Sequence, residues 1–164
     1  MTASRPVLHS GGCQCGAVRY ALHAEPFNMH ICHCRMCQKA FGSFFAPLAA
    51  VRLEDITWTR GKPALFRSSP PVERGFCAAC GTPLTFHYLE VDRTNISIGS
   101  LDDPSGLAPL RQYGTEARMP WFAELHKLPA SRTEDDIPAE TLATLVTHQH
   151  PDHDTAVWPP AAEA

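Results

Sequence analysis

The sequence predicts a mainly β fold, and three observations carry that prediction. Apolar residues alternate with polar ones in short runs, so each run can turn one face to a core. Gly and Pro turn chemistry separates the runs, and no long helical pattern interrupts them. Seven cysteines fall into three tight clusters, which lets metal tie together strands that are distant in sequence. An all-β sandwich, barrel or tent with few short helices meets these conditions.

At 164 residues the chain suits one domain with a genuine core. A formal net charge of −3 gives no global basic signature for nucleic acid or an anionic membrane. No stretch approaches the ~18 apolar residues of a membrane span, and Met1 to Gly12 holds no apolar signal core. The expected setting is the reducing cytoplasm, where thiols stay free or bind metal, with neither nucleic acid nor membrane as partner.

Residues 1–9 read as a flexible N-terminus, with His9 facing solvent. Gly11-Gly12-Cys13-Gln14-Cys15-Gly16 follows, its glycines free to take positive φ and approach a metal. Ala17 to Leu22 reads as a strand with Val18, Tyr20 and Leu22 on one face. Phe27, Met29 and Ile31 alternate likewise and deliver the chain into Cys32. Residues 35–41 suit a short helix or turn, ended near Gly42. Phe44 to Val51 is β-prone, and Pro47 marks it as an edge or bulged strand.

Glu54 to Thr59 alternates through Ile56 and Trp58, before a turn at Arg60-Gly61-Lys62-Pro63. Ala64 to Ser68, Val72 to Phe76, Leu84 to Leu89, Thr94 to Gly99 and Leu107 to Tyr113 complete the predicted strands. Met119-Pro120-Trp121-Phe122 reads as an aromatic anchor on the sheet, most simply as core. From Ser131 the composition shifts to Ala, Pro, Thr, Asp and His. One short helix is expected over Pro138 to Val146 with Asp136 as its cap, then disorder over 148–164. The expected organisation is a zinc-binding β domain over 10–130 and a partly disordered C-terminal extension over 131–164.

An odd count of seven cysteines disfavours a pure disulfide framework, and C-x-C, C-x-C-x-x-C and C-x-x-C are chelate spacings. Isolated cysteines would more simply be small buried hydrophobes, but these are clustered. Cys13, Cys15, Cys77 and Cys80 supply four thiolates, enough to close a tetrahedral, structural zinc site. That leaves Cys32, Cys34 and Cys37, three ligands with an open position, which is the arrangement of catalytic zinc. Two zinc ions per chain follow. The open position can take water, a substrate thiol or a carbonyl oxygen.

His33 is an alternative fourth ligand, although its place between two ligating cysteines should turn its side chain elsewhere. His87 reads as an ordinary core or surface histidine. His148-Gln149-His150-Pro151-Asp152-His153 matches the H-x-H-x-D-H string of metallo-β-lactamase-like hydrolases. Only eleven residues follow it, none of them His, so the match is read as coincidental, leaving adventitious metal binding by the tail.

Gly11-Gly-Cys-Gln-Cys-Gly-Ala-Val-Arg-Tyr20, Cys32-His-Cys-Arg-Met-Cys37 and Arg74-Gly-Phe-Cys-Ala-Ala-Cys-Gly-Thr-Pro-Leu84, in that order, resemble the glutathione-dependent formaldehyde-activating enzyme family. Gly99-Ser-Leu-Asp-Asp-Pro104 and Trp121 fit its later pattern, and the likeness covers roughly residues 10–128. Where that family often reads His-Ile-aromatic, this chain reads Arg111-Gln112-Tyr113. The resemblance implies a β-tent, a structural zinc on Cys13, Cys15, Cys77 and Cys80, and a catalytic zinc on Cys32, Cys34 and Cys37. It implies a carbon–sulfur lyase of the S-(hydroxymethyl)glutathione synthase type, with glutathione as co-substrate and formaldehyde as aldehyde.

The rival reading is a non-catalytic zinc β-module that binds glutathione, protein or chromatin, as the centromere protein V branch of that family suggests. Such a module would carry a basic face or extension, whereas this chain is slightly acidic with an Ala/Pro tail. A redox switch on Cys32, Cys34 and Cys37 is a third reading. An exposed β edge would permit a homodimer.

Overall fold

A computed structural model describes residues 5–159; the expectations for residues 1–4 and 160–164 lie outside the described residues. Strands β1 (His9–Gly12), β2 (Arg19–Leu22) and β5 (Ile56–Arg60) form a small antiparallel sheet in the order β1-β2-β5. The larger sheet holds β3 (Phe27–Cys32), β4 (Ala46–Arg52), β6 (Ala64–Ser69), β7 (Val72–Phe76), β8 (Pro83–Tyr88), β9 (Arg93–Ser97) and β10 (Arg111–Tyr113). Its order is β10-β3-β4-β9-β8-β7-β6, antiparallel throughout except where β10 runs parallel to β3. The mainly β architecture is thus the one the alternating runs predict.

The two sheets bury a common core. Tyr20 and Leu22 from the small sheet meet Ala49, Val51 and Ile96 from the large one. The fully buried Tyr20 ring sits edge-on to Trp58 at 5.8 Å, and its hydroxyl shares a 2.9 Å hydrogen bond with Ser100. That bond satisfies a phenol that would be costly to bury alone.

Strand alternation turns the intervening residues of β4 and β9 to the opposite face of the large sheet. Register there runs Cys32 to Ala46, His30 to Leu48, Ala50 to Asn95, Asn95 to Phe86 and Phe86 to Arg74. Cys32, Leu48, Phe86 and Arg74 therefore share one face, away from the main core. A second, smaller apolar cluster forms on it around Cys37, Ala46 and Leu48.

Several local expectations need correction. The lead-in is not loose from His9 onward, because β1 pairs with β2. Its two glycines serve close packing, since a Cβ on Gly11 would lie 2.5 Å from the Ser100 carbonyl oxygen and 2.6 Å from the Tyr20 hydroxyl. His9 itself is half-buried and faces Glu25 at 2.9 Å. Pro47 does not mark an edge: β4 lies between β3 and β9. The missing N–H is tolerated because the β4–β9 pairing only starts at Leu48.

The helix expected over Pro138 to Val146 shrinks to α3 (Ala139–Leu142), behind α2 (Thr133–Asp136). Pro138 forces Ile137 into an extended conformation, so Asp136 ends one helix rather than capping the next. Residues 148–159 depart from the expected disorder. They run back over the loop at Cys13 to Gly16, where His150 is 3% exposed and its N–H donates to the Gln14 carbonyl at 2.8 Å.

The aromatic anchor packs as expected, with the Phe122 ring 4.7 Å from His33 and 5.8 Å from Phe45. Trp121 meets Phe44 at 5.2 Å but stays 46% exposed, so the group forms a satellite of the core.

Candidate metal centres

Two loops build the four-thiol cluster. The first is pinned by backbone bonds from Cys13 N–H to the Val18 carbonyl (2.9 Å) and from Gly16 N–H to the Cys13 carbonyl (3.0 Å). Gly16 sits at φ 73, the left-handed turn that brings Cys15 back beside Cys13. The second loop is a knuckle, with Gly81 N–H on the Cys77 carbonyl at 2.8 Å and Cys77 N–H on the Thr82 carbonyl at 3.0 Å.

The sulfurs of Cys13, Cys15, Cys77 and Cys80 all lie within 4.8 Å of one another. Cys13 and Cys15 are 3.6 Å apart, and Cys15 and Cys77 are 3.8 Å apart. A tetrahedron with metal–sulfur bonds of ~2.3 Å has edges of ~3.8 Å, so these four atoms suit an ion such as zinc. Their protonation points the same way. Burial pushes the Cys13 thiol up to about 12 and raises Cys15. Burial also opposes ionisation of Cys80, but the Thr82 hydroxyl and N–H bring it down to about 6. Four sulfurs this close cannot all ionise without a cation among them.

The three-thiol cluster stands where β3 ends and helix α1 (Arg35–Phe41) begins. Cys32 is the last strand residue. Cys34 is the helix N-cap, its Sγ accepting the Cys37 N–H at 3.4 Å, and Gly42 closes the helix at φ 59. The sulfurs of Cys32, Cys34 and Cys37 lie within 4.8 Å of one another. Gln38 fixes the helix by donating to the carbonyls of His33 (2.7 Å) and Ala117 (2.9 Å).

His33 does not join the thiols. Flanked by two inward-facing cysteines, it points the other way and is fully buried against Phe122, its Nε2–H donating to Gln112 Oε1 at 3.0 Å. His87 is held by the Arg93 carbonyl at 3.0 Å, an ordinary strand role. His148, His150 and His153 are not part of any metal-sized cluster among the described residues.

Arg74 lies beside the three thiols. Its Nη2 donates to Cys37 Sγ at 3.4 Å, its Nε to Ser68 Oγ at 3.2 Å, and its guanidinium carbon stacks 4.8 Å from the Phe86 ring centre. The hydrogen bond from Cys32, with help from Arg74 and against burial, brings the Cys37 thiol down to about 5. Cys32 moves up, because it is the donor in that bond and is itself buried. The opposite shifts of Cys32 and Cys37 mark sulfurs that compete for a proton, which a divalent cation held among them would replace.

A cavity of about 330 Å³ opens on these sulfurs, with Cys32 and Cys37 in its wall beside His30, Phe86, Arg93 and Tyr113. Larger cavities of about 430 and 490 Å³ lie beside β1 and the C-terminal segment, and none of the three thiols lines them.

Comparison with known proteins places this arrangement. The model of the GFA family, the glutathione-dependent formaldehyde-activating enzymes, matches residues 8–116. The chain belongs to that family. The matched span holds all seven cysteines and Arg74, and it stops before Trp121 and the C-terminal segment. A crystal structure of a Rhodobacter sphaeroides protein is similar in fold, at a TM-score of 0.52 and 23% identity. The match covers 63% of this chain and 98% of that one.

GFA membership supports a formaldehyde-activating type of function, with glutathione and formaldehyde as the small molecules concerned. No helix among the described residues is long and apolar enough to cross a membrane. Sequence reading missed Arg74, Gln38 and Gly114, where a Cβ would lie 2.7 Å from the Cys34 nitrogen, as neighbours of the three thiols. Only the Arg74-Gly-Phe-Cys77 string gave a signal, and it was absorbed into the knuckle beside it.

Proposed function

We propose that this chain is a zinc-dependent carbon–sulfur lyase that joins a thiol to an aldehyde, with glutathione and formaldehyde as the pair that GFA membership favours. The observation that carries the proposal is the division of seven thiols into a set of four and a set of three, the second facing a cavity. Four thiolates complete a tetrahedron and leave no place for substrate, whereas three leave one.

Zinc on Cys32, Cys34 and Cys37 would supply a Lewis-acidic position that keeps a substrate thiol ionised at neutral pH. The protein's own groups do the rest. Cys34 and Cys37 are fixed by α1, and Cys32 and Cys37 line the cavity through which a substrate would reach the set. Leu48 and Phe86 cover the sulfurs and limit water. In the reaction a sulfur–carbon bond forms, the carbonyl π bond opens, and the thiol proton ends on the former carbonyl oxygen. The reverse sequence releases aldehyde and thiol.

Zinc analysis of the wild type and of Cys34→Ser, with and without glutathione, tests the division of roles. The expected result is two zinc ions in the wild type and one in a folded Cys34→Ser. A single zinc in the wild type, or an unfolded Cys34→Ser, overturns it. Turnover of glutathione and formaldehyde no faster than in buffer would leave a binding module instead of an enzyme.

A further inference from the structure

Arg74 is 7% exposed, and among the described residues no carboxylate pairs with it. The contrast with Arg19 is direct. Arg19 is just as deeply buried, but Asp102 and Asp154 both neutralise it at 2.6 Å. A guanidinium cannot shed its proton, so burying one without an anion is costly. Among the described residues the ionisable group bonded to Arg74 is the Cys37 thiol, and Arg74 Nη1 has no hydrogen-bond partner. Its other neighbours are the Phe86 ring and the Ser68 hydroxyl, neither of which carries charge.

Charge counting gives this pairing a consequence. A divalent cation on three thiolates carries a net charge of minus one, and a thiolate as fourth ligand makes it minus two. The packed side of the cluster is apolar, with Ala46, Leu48, Phe41 and Phe86 against it, while His30, Arg93 and Tyr113 stand across the cavity. In such surroundings a second negative charge is strongly disfavoured unless a cation stands nearby.

We propose that Arg74 is a positioning residue of the three-thiol centre, whose buried charge makes the centre prefer an anionic fourth ligand, a thiolate, over a neutral one. This rests on the reading of Cys32, Cys34 and Cys37 as a centre with an open position. Arg74 acts through Cys37 and through the electrostatic field, and it need not touch the substrate. The charge is held in place from two sides, by stacking on Phe86 and by the bond to Ser68.

The test uses full-length protein loaded with cobalt(II), whose sulfur-to-metal absorption reports ligand exchange. Wild type, Arg74→Gln and Arg74→Lys are titrated with 2-mercaptoethanol, which binds as a thiolate, and with imidazole, which binds neutral. In Arg74→Gln, thiol affinity is expected to fall about tenfold while imidazole affinity stays within about twofold. Arg74→Lys keeps the charge and should hold thiol affinity within about threefold of the wild type, which also covers the case of a Gln variant that does not fold.

Equal loss of both ligands in Arg74→Gln, no loss of either, or a Lys variant as weak as Gln overturns the role of Arg74. Those outcomes leave the centre itself intact as a thiol site. A wild type that binds no thiol at its cobalt overturns the open-site reading and this inference with it.

Discussion

The indole Nε1–H of Trp158 donates to the backbone carbonyl of Cys15 at 2.7 Å. Residues 143 positions apart in sequence thus meet at the loop that carries two of the four clustered thiols. The strap is anchored elsewhere too. Asp154 pairs with Arg19, the Arg60 guanidinium donates to Thr155, and a Cβ on Gly16 would lie 2.4 Å from the His150 ring. Trp158→Phe removes the N–H donor and leaves a carbonyl short of a partner, at a cost of about 1–2 kcal/mol. Amide exchange at Gly16 to Val18 should quicken, and thermal unfolding should shift down. Unchanged exchange would show that the strap does not hold the loop.

The four-thiol cluster joins the β1–β2 loop to the β7–β8 connection across a separation of 62 residues, the interval from Cys15 to Cys77. Metal binding in such a site is also folding free energy, on the order of 10 kcal/mol or more. Cys77→Ser is therefore expected to yield insoluble or largely unfolded protein, in contrast to Cys34→Ser. Circular dichroism of the two variants side by side checks the difference.

Gly114 follows β10 at φ 63, and a Cβ there would lie 2.7 Å from the Cys34 nitrogen and 3.0 Å from its Cβ. Gly114→Ala must displace Cys34 or β10. We expect a loss of about 1–3 kcal/mol in stability and earlier loss of one metal, that of the three-thiol centre, to a chelator. Native mass spectrometry during chelation reads both stoichiometries. Loss of both metals together would contradict this order.

Asp102 ties β1 and β2 to the turn after β9, through Ser10, whose hydroxyl donates at 2.5 Å, and through Arg19 at 2.6 and 2.7 Å. Burial opposes its charge, but the Arg19 guanidinium and the Ser10 hydroxyl prevail and hold the carboxyl below its ordinary value of 3.8. A lowered folded-state value means the stabilisation is complete above the unfolded value and drains away as pH falls through the folded one. Asp102→Asn should cost about 3 kcal/mol near neutrality. The gap between wild type and variant should stay constant down to about pH 5 and narrow below about pH 4. Denaturant unfolding across that range measures it; a gap that widens on acidification would reverse the sign.

Much of this protein is written locally. Val18, Tyr20 and Leu22 announce their strand by alternation, and the three cysteine clusters announce themselves by spacing, because chelate loops and pleated strands are short-range structures. The division of seven thiols into four and three follows from counting ligands, and the fold brings Cys13 to Cys80 as the count requires. What the sequence could not decide is which distant groups surround those thiols. Arg74 reaches Cys37 only because β7 and β8 lie on the same sheet as β3 and β4, in a register that puts Arg74, Phe86 and Cys32 on one face. Pro47 looks like an edge residue until the start of the β9 pairing is known. The C-terminal strap has a composition that reads as loose, and His150, Asp154 and Trp158 gain their places only when the Cys13 loop, Arg19 and Arg60 are already assembled to receive them. Spacing along the chain fixed which atoms can bind metal, and packing between remote segments decided the charge and the cover around them.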